Sequence, residues 1–209
     1  MWLRRQKKRC RPLECLRADV VEKRAAFLRK VKRIPANRLV FLDEAGLNHS
    51  MTRSHAWVKC GEEFVERLPM NWGKNLTIIG AIRLRGWVVQ STMFETANAD
   101  RFVQWLNKRL LPKLRPGDVL IMDNAKPHHD ARVRTSCEAR GVRLIYLPPY
   151  SPDFNPIEPG WAVQKQYVRR CAPREKHALR RVARRARHRV TKQHCHRFFK
   201  HAGYRVQPR

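Results

Sequence analysis

The stretch VLIMDNAKPHHDARVRTSCEARGVRLIYLPP, residues 119–149, decides the fold. VLIMD is an apolar run of strand length closed by a carboxylate, DARVRTSCEARG is helical in pattern with Gly141 as its terminator, and VRLIYLPP is a second strand. Two strands joined through a helix lie parallel in one sheet. Just upstream, Asn98 is placed to cap a helix in which Phe102, Trp105, Leu106 and Leu110 recur at helical spacing and which Pro112 ends. Further upstream the pattern becomes antiparallel. LVFLDEAG (39–46) is followed by the short strand candidates HAWVKCG (55–61) and EFVERL (63–68) and by a turn around MNWGKN (70–75). LTIIGAIRL and WVVQSTMF then form a hairpin through Arg85 and Gly86. The expected class is α/β: a mixed sheet, an antiparallel meander and then parallel strands, flanked by helices.

Both ends of the chain are helical and basic. Residues 17–33 set Val20, Val21, Ala25, Phe27, Leu28 and Val31 in a ragged apolar stripe that Ile34-Pro35 ends. Beyond residue 158, Leu179, Val182, Ala183, Ala186 and Val190 make a narrow stripe, and arginines cover the remainder. The formal charge of the 209 residues is +29. It is carried by the ends: +11 over residues 1–40 and +15 over 159–209, against +3 for the centre. Charge of this size selects a polyanion and makes binding salt-dependent through counterion release. Nucleic acid is the expected partner, met by Arg180, Arg181, Arg184 and Arg185, since no acids alternate with these arginines. A membrane surface fits less well, because the arms lack the large apolar face of interfacial helices. No segment is long and apolar enough to span a bilayer, and no apolar run follows the basic MWLRRQKKRC, so the expected location is the cytoplasm.

Cysteines 10, 15, 60, 137, 171 and 195 show no CxxC pair and are expected to be reduced. The HCH tract at 194–196, with His188 nearby, is a weak zinc pattern without a second ligand pair, and polar residues on a helix account for it as well.

Three acids carry the chemistry. Asp43 ends one apolar run and Asp123 ends another, and open α/β sheets place their sites at strand ends. In LPPYSPDFNPIEPGW (147–161), Asn155 and Pro156 read as an N-cap and first helical residue, with Glu158 third in the helix. Hard carboxylates of this kind hold divalent cations. Each acid also has a bland role, since Asp43 and Asp123 could merely end strands and Glu158 could complete a capping box. Glu44 points to the opposite face from Asp43, and Asp153 reads as a turn residue. Asn124 and His128 could orient a ligand or make turn hydrogen bonds. Trp161 and Lys165 lie on the helical face of Glu158, Trp161 to pack and Lys165 to reach a phosphate or simply water.

FLDEAGLNHSMTRSHAWVKCGE, the Trp72-Gly73 pair, VLIMDNA with His128 five residues past Asp123, LPPYSPDFNPIE and the distal FFKHAGY together resemble the DDE domain of mariner-like transposases, most nearly their bacterial insertion-sequence branch. The resemblance spans residues 38–204, and the 34 residues between Asp123 and Glu158 suit it. It implies a ribonuclease H-like fold in which Asp43, Asp123 and Glu158 bind two Mg²⁺ ions, Mn²⁺ being the alternative. The implied activity is cleavage of a DNA strand followed by transfer of its 3′ hydroxyl to target DNA. The implied partners are transposon ends, target DNA and a second copy of the chain, on a bacterial nucleoid. Segments 1–37, 38–170 and 171–209 are expected to be a basic helical arm, the catalytic domain and a basic helical extension. Mariner-like transposases carry a helix-turn-helix region before the first catalytic strand, and residues 1–37 have room for one helix. The end-reading half is therefore expected in a separate helix-turn-helix protein or an upstream or frameshifted reading frame, or to have been lost. The alternative function is a silent relict or partner subunit that binds DNA through its arms without chemistry.

Overall fold

The computed structural model describes residues 12–69, 75–93 and 98–206. Residues 1–11 with Cys10, most of the MNWGKN turn and the Trp72-Gly73 pair lie outside the described residues. Five strands form one sheet in the order β3-β2-β1-β4-β5. β1 (Leu39–Leu47), β2 (Leu76–Arg83) and β3 (Gly86–Met93) are antiparallel neighbours, whereas β4 (Val119–Met122) and β5 (Arg143–Tyr146) run parallel to β1. The mixed sheet follows the sequence pattern: the two-residue connection at 84–85 forces a hairpin, and the helix between β4 and β5 forces a crossover.

Alternation along β1 builds two cores. Leu39, Phe41, Ala45 and Leu47 face one way and Val40 and Leu42 the other. On the first face pack α1 (Ala18–Val31), α4 (Glu158–Cys171), α5 (Lys176–Ala186) and α6 (Lys192–His201), through Phe27, Trp161, Leu179 and Phe199 among others. On the second pack α2 (Ala99–Trp105), its π-turn continuation Leu106–Leu110, and α3 (Ala131–Glu138). The result is three layers, helices over sheet over helices. Asn98 caps α2 by accepting from the Arg101 amide at 2.9 Å, and Gly141 takes φ +64° just past α3, where a left-handed residue ends a helix at least strain.

The last helix reaches the central strand. Phe41, fully buried, meets the Phe199 ring edge-on at 5.4 Å and Tyr204 at 5.0 Å. Such a site loses about 3–5 kcal/mol on truncation to alanine. The Tyr204 hydroxyl donates to the Phe154 carbonyl at 2.6 Å, and burial pushes its pKa up, so it stays a donor. The tail thus braces the SPDF loop.

Three expectations are corrected. HAWVKCG and EFVERL are not strands: described residues 48–69 form no ladder, and Trp57, Phe64 and Val65 are exposed. The base of this excursion is tied by Arg174, which pairs with Glu66 and donates to the His49 carbonyl at 3.3 Å. Asp43 does not end its strand either. β1 continues to Leu47 against β2, with Asp43 opposite Gly80, but its ladder with β4 stops at Phe41 opposite Ile121. Asp43 therefore lies just beyond the parallel ladder. Finally, Val21 is exposed rather than part of the α1 stripe, which is held by Val20, Phe27 and Val31.

Candidate active site

Asp43, Asp123 and Glu158 come from β1, from the residue after β4 and from the start of α4. Their charges are felt mutually: Glu158 and Asp123 both raise the pKa of Asp43, and Asp123 raises that of Glu158. Three separate elements therefore deliver carboxylates to one end of the sheet.

Asp43 is 9% exposed, and its carboxyl is pushed up to about 7, first by burial and then by Glu158. Both its oxygens are held. Oδ1 accepts the Glu44 amide at 2.8 Å, while Oδ2 accepts Trp161 Nε1 at 3.2 Å and Asn155 Nδ2 at 3.3 Å. The indole lies where it does because the facing residue on β2 is glycine. A Cβ on Gly80 would stand 3.0 Å from both Trp161 and Trp87, whose ring centroids are 4.8 Å apart. Gly160 has the same purpose, with Trp87 3.4 Å from where its Cβ would be.

Asp123 is differently housed. Its side chain is about half exposed, and Oδ1 meets His128 Nδ1 at 2.6 Å and the Ala125 amide at 3.1 Å. The hydrogen bond from buried His128, ahead of its other causes, holds the Asp123 carboxyl below its ordinary value. His128 is fixed in turn by the Phe102 ring, 4.4 Å away between centroids. Of the two neighbours singled out in the sequence, His128 touches the acid. Asn124 does not: its amide donates to the Leu147 carbonyl at 2.5 Å and ties the ends of β4 and β5.

Glu158 is the first residue of α4, not the third. The turn Pro152–Phe154 precedes it, and Asn155 spends its side chain on Asp43 and on the Ile157 amide, 3.4 Å away, rather than capping the helix. Burial raises Glu158, and Lys165 two turns on opposes that, so Lys165 sits near the carboxylate. Glu44 lies on the face of β1 opposite Asp43, as alternation requires; burial raises it, His128 opposes that and Asp123 adds to it, so Asp123 is felt on both faces of the strand.

The loop before Glu158 is clamped from outside. Arg24 on α1 donates to Asp153 at 2.9 and 2.7 Å and to Ser151 at 2.8 Å, with its guanidinium 4.1 Å over the Phe154 ring. Asp153 is thus an anchor as well as a turn residue. Local pattern reports neither the Arg24 nor the Tyr204 contact, because their partners lie 129 and 50 residues away.

Among the described residues, no three of His, Cys, Asp and Glu converge tightly enough to make a ready metal cage. The three acids still suit Mg²⁺, which keeps several waters and takes only one or two carboxylates at a time. Their mutual repulsion is the kind that a cation relieves. The HCH tract is structural: His194 completes the capping box of α6 with Thr191, and Cys195 is buried. The arginines of α5 divide. Arg180 and Arg184 line a cleft beside β3 and also, with Arg181, His177 and Glu175, a second opening, whereas Arg185 lines neither.

A family model described as DDE superfamily endonuclease matches residues 38–180. Among solved structures the chain is similar to the Mos1 strand transfer complex, with TM-score 0.74 and 22% identity over 96% of this chain and 63% of that one. It is similar to the Mos1 mariner paired end complex with Mn at 0.72 and 20%, over 96% and 64%, and to the catalytic domain of Mos1 mariner transposase at 0.56 and 17%, over 99% and 100%. The chain therefore spans less than two thirds of the Mos1 chains in those two complexes, and at these identities the likeness is one of fold. That fold is ribonuclease H-like. No curated protein matches the chain.

Proposed function

This chain belongs to the DDE superfamily endonucleases, and on that premise we propose that Asp43, Asp123 and Glu158 are the catalytic acids of a transposase that cuts a DNA strand and joins its 3′ end to a target. The observation that carries this reading is geometric: Asp43 and Asp123 each lie two residues past the Phe41–Ile121 pair of adjacent parallel strands, and Asn155 and Trp161, three residues to either side of Glu158, both donate to Asp43. Asp43 and Glu158, both raised by burial and by neighbouring acids, are the groups whose ionised forms gain most from added positive charge.

Two divalent cations, Mg²⁺ with Mn²⁺ as the alternative, would supply a more acidic attacking water and a stabilised leaving oxygen. Structures named for Mos1 with Mn and with Mg support that choice. Asp43, Asp123 and Glu158 would hold them, and the chain's task is to aim these carboxylates. Trp161 and Asn155 fix one oxygen of Asp43, His128 fixes one oxygen of Asp123 and leaves the other free, and Lys165 favours ionised Glu158. In the first step water adds to phosphorus, the P–O3′ bond breaks and a 3′ hydroxyl and a 5′ phosphate are released. In the second that hydroxyl loses its proton to solvent, attacks a target phosphodiester and expels a 3′ oxygen. No bond to the protein forms at either step.

The relatives named as paired end and strand transfer complexes support two copies of the chain acting on transposon ends and target DNA. The SPDFNPIE string supports an insertion sequence as the element and the nucleoid as the location. Among the described residues no helix is long and apolar enough to cross a membrane.

The test is strand transfer by the purified chain from a pre-cleaved oligonucleotide with a free 3′ hydroxyl into a plasmid, with Mg²⁺ or EDTA, beside Asp123→Asn. Metal-dependent joining that the variant loses is expected. Salt-sensitive DNA binding with neither joining nor nicking would support the silent relict instead.

A further inference from the structure

A cationic cleft runs along the free edge of β3, apart from the three acids. One cavity of about 430 Å³ has Gln90, Ser91 and Thr92 as its floor, with Arg109 on one side and Arg180, Arg184 and Arg187 on the other. A second, of about 500 Å³, shares Gln90, Arg109 and Arg187 and adds Lys108 and Lys113, so the two are continuous. The walls come from opposite layers. Lys108 and Arg109 follow α2 beneath the sheet, whereas Arg180 and Arg184 lie on α5 above it and Arg187 just past its end.

These cations differ from the arginines that tie the fold together in making no carboxylate ion pair, although Glu175 shares an adjoining opening with Arg180 and Arg184. Arg24, Arg83, Arg132 and Arg174 pair with Asp153, Asp118, Asp130 and Glu66 respectively. Among the described residues no acid pairs with Lys108, Arg109, Lys113, Arg180, Arg184 or Arg187. Facing rows of unneutralised charge repel unless a polyanion lies between them. The row on α5 is linear: Arg180, Arg184 and Arg187 are four and three residues apart, about 6 and 4.5 Å along the axis. A nucleic-acid strand presents one charge per ~3.4 Å of axis, so such a row fits a run of phosphates better than a single anion.

The cleft is coupled to the acids. Gln90 pairs with Gly80, which pairs with Asp43, so the floor lies on the same cross-strand row, two strands and about 10 Å away. Gln90 and Gln164 exchange amide hydrogen bonds at 3.0 and 2.8 Å, and Gln164 is carried by α4, whose first residue is Glu158. We propose that this cleft holds the phosphodiester backbone of DNA extending away from the position cut at the acids. The inference rests on the transposase reading for its substrate and goes beyond it by assigning Lys108, Arg109, Lys113 and Arg187 to the path.

The test is the affinity of the whole chain for a labelled duplex, read by fluorescence anisotropy in EDTA across a salt series. Arg109→Gln/Arg184→Gln/Arg187→Gln is compared with a control of equal charge, Arg134→Gln/Arg140→Gln/Arg143→Gln, on exposed positions near the β5 edge. The cleft triple should bind at least about tenfold more weakly, with a salt slope shallower by roughly 2–3, and the control should lose less than about threefold. Equal losses in the two triples, or none in the cleft triple, would overturn the proposal. So would poly-glutamate binding the wild type more tightly than DNA does and losing affinity only in the cleft triple, because that would make the edge an acidic-peptide site. If the triple melts early, the single exposed change Arg184→Gln replaces it, compared with Arg140→Gln. Nicking of plasmid in Mg²⁺ by the wild type separates the two readings. Nicking together with unaltered binding by the cleft triple removes the cleft alone. No nicking together with a selective binding loss leaves the cleft standing and removes the chemistry.

Discussion

Asp43 and Asp123 belong to neighbouring parallel strands, yet their surroundings pull in opposite directions. Asp43 is roofed by Trp161 and Asn155 and raised to about 7, whereas Asp123 is half exposed, bonded to His128 and lowered. The two acids are thus prepared differently. Asp123 is ionised at neutral pH and always available, while Asp43 is poised to lose its proton when positive charge arrives. The difference comes from α4, which lays its indole over β1 and leaves the end of β4 open.

The largest test of this contrast removes each carboxylate. Asp43→Asn and Asp123→Asn should each cut metal-dependent strand transfer at least about a thousandfold, or ~4 kcal/mol in the barrier. A near-normal rate in either would break the pairing. Next comes stability against pH in EDTA. The unfolded chain releases the Asp43 proton near 3.8, but the folded protein keeps it to about pH 7. The folded state therefore binds more protons between those values, and the contribution of Asp43, full below pH 3.8, is lost as pH rises to 7. Over that window wild type should lose up to about 4 kcal/mol more than Asp43→Asn, read from denaturant midpoints. Asp123 has the opposite sign, since its contribution is present above the ordinary carboxylate range and is lost as pH falls through its lowered folded pKa.

A smaller effect is expected at His128. His128→Ala should weaken Mg²⁺ binding about 10- to 100-fold through loss of the group that orients Asp123, with the Asp43-dependent pH profile unchanged. The smallest is Trp161→Phe. It keeps the ring against Trp87 but deletes the Nε1 donor to Asp43, and it should cost about 1–2 kcal/mol at neutral pH and move the Asp43 titration further up. If it left that titration in place, the roof would not control Asp43.

Much of this was legible in local pattern. Apolar runs 39–42 and 119–122, the Asn98 cap, the terminal Gly141 and the hairpin at 84–85 all appear where short-range periodicity and turn chemistry put them. What was not legible depends on distant partners. Residues 55–68 have the composition of strands, but a strand exists only with a partner, and among the described residues they pair with none. The bonds from Arg24 to Asp153, Tyr204 to Phe154 and Trp161 to Asp43 join residues 129, 50 and 118 apart, which no window of periodicity reports. Glu158 was found through its motif, but its place in the helix was misread. Asn155 resembles a cap in sequence, whereas its amide is drawn to the buried Asp43 carboxylate. Nothing in local pattern marks Lys108, Arg109 and Lys113, which only the fold sets across from α5.

The central claim is that three acids from three elements make one cation site. It is tested most directly by calorimetric Mg²⁺ titration of the wild type beside Asp43→Asn, Asp123→Asn and Glu158→Gln, at neutral pH and constant ionic strength. Each single change is predicted to weaken binding at least about tenfold, since each removes a carboxylate ligand. Wild-type affinity in any one of them, Glu158→Gln above all, would contradict the account.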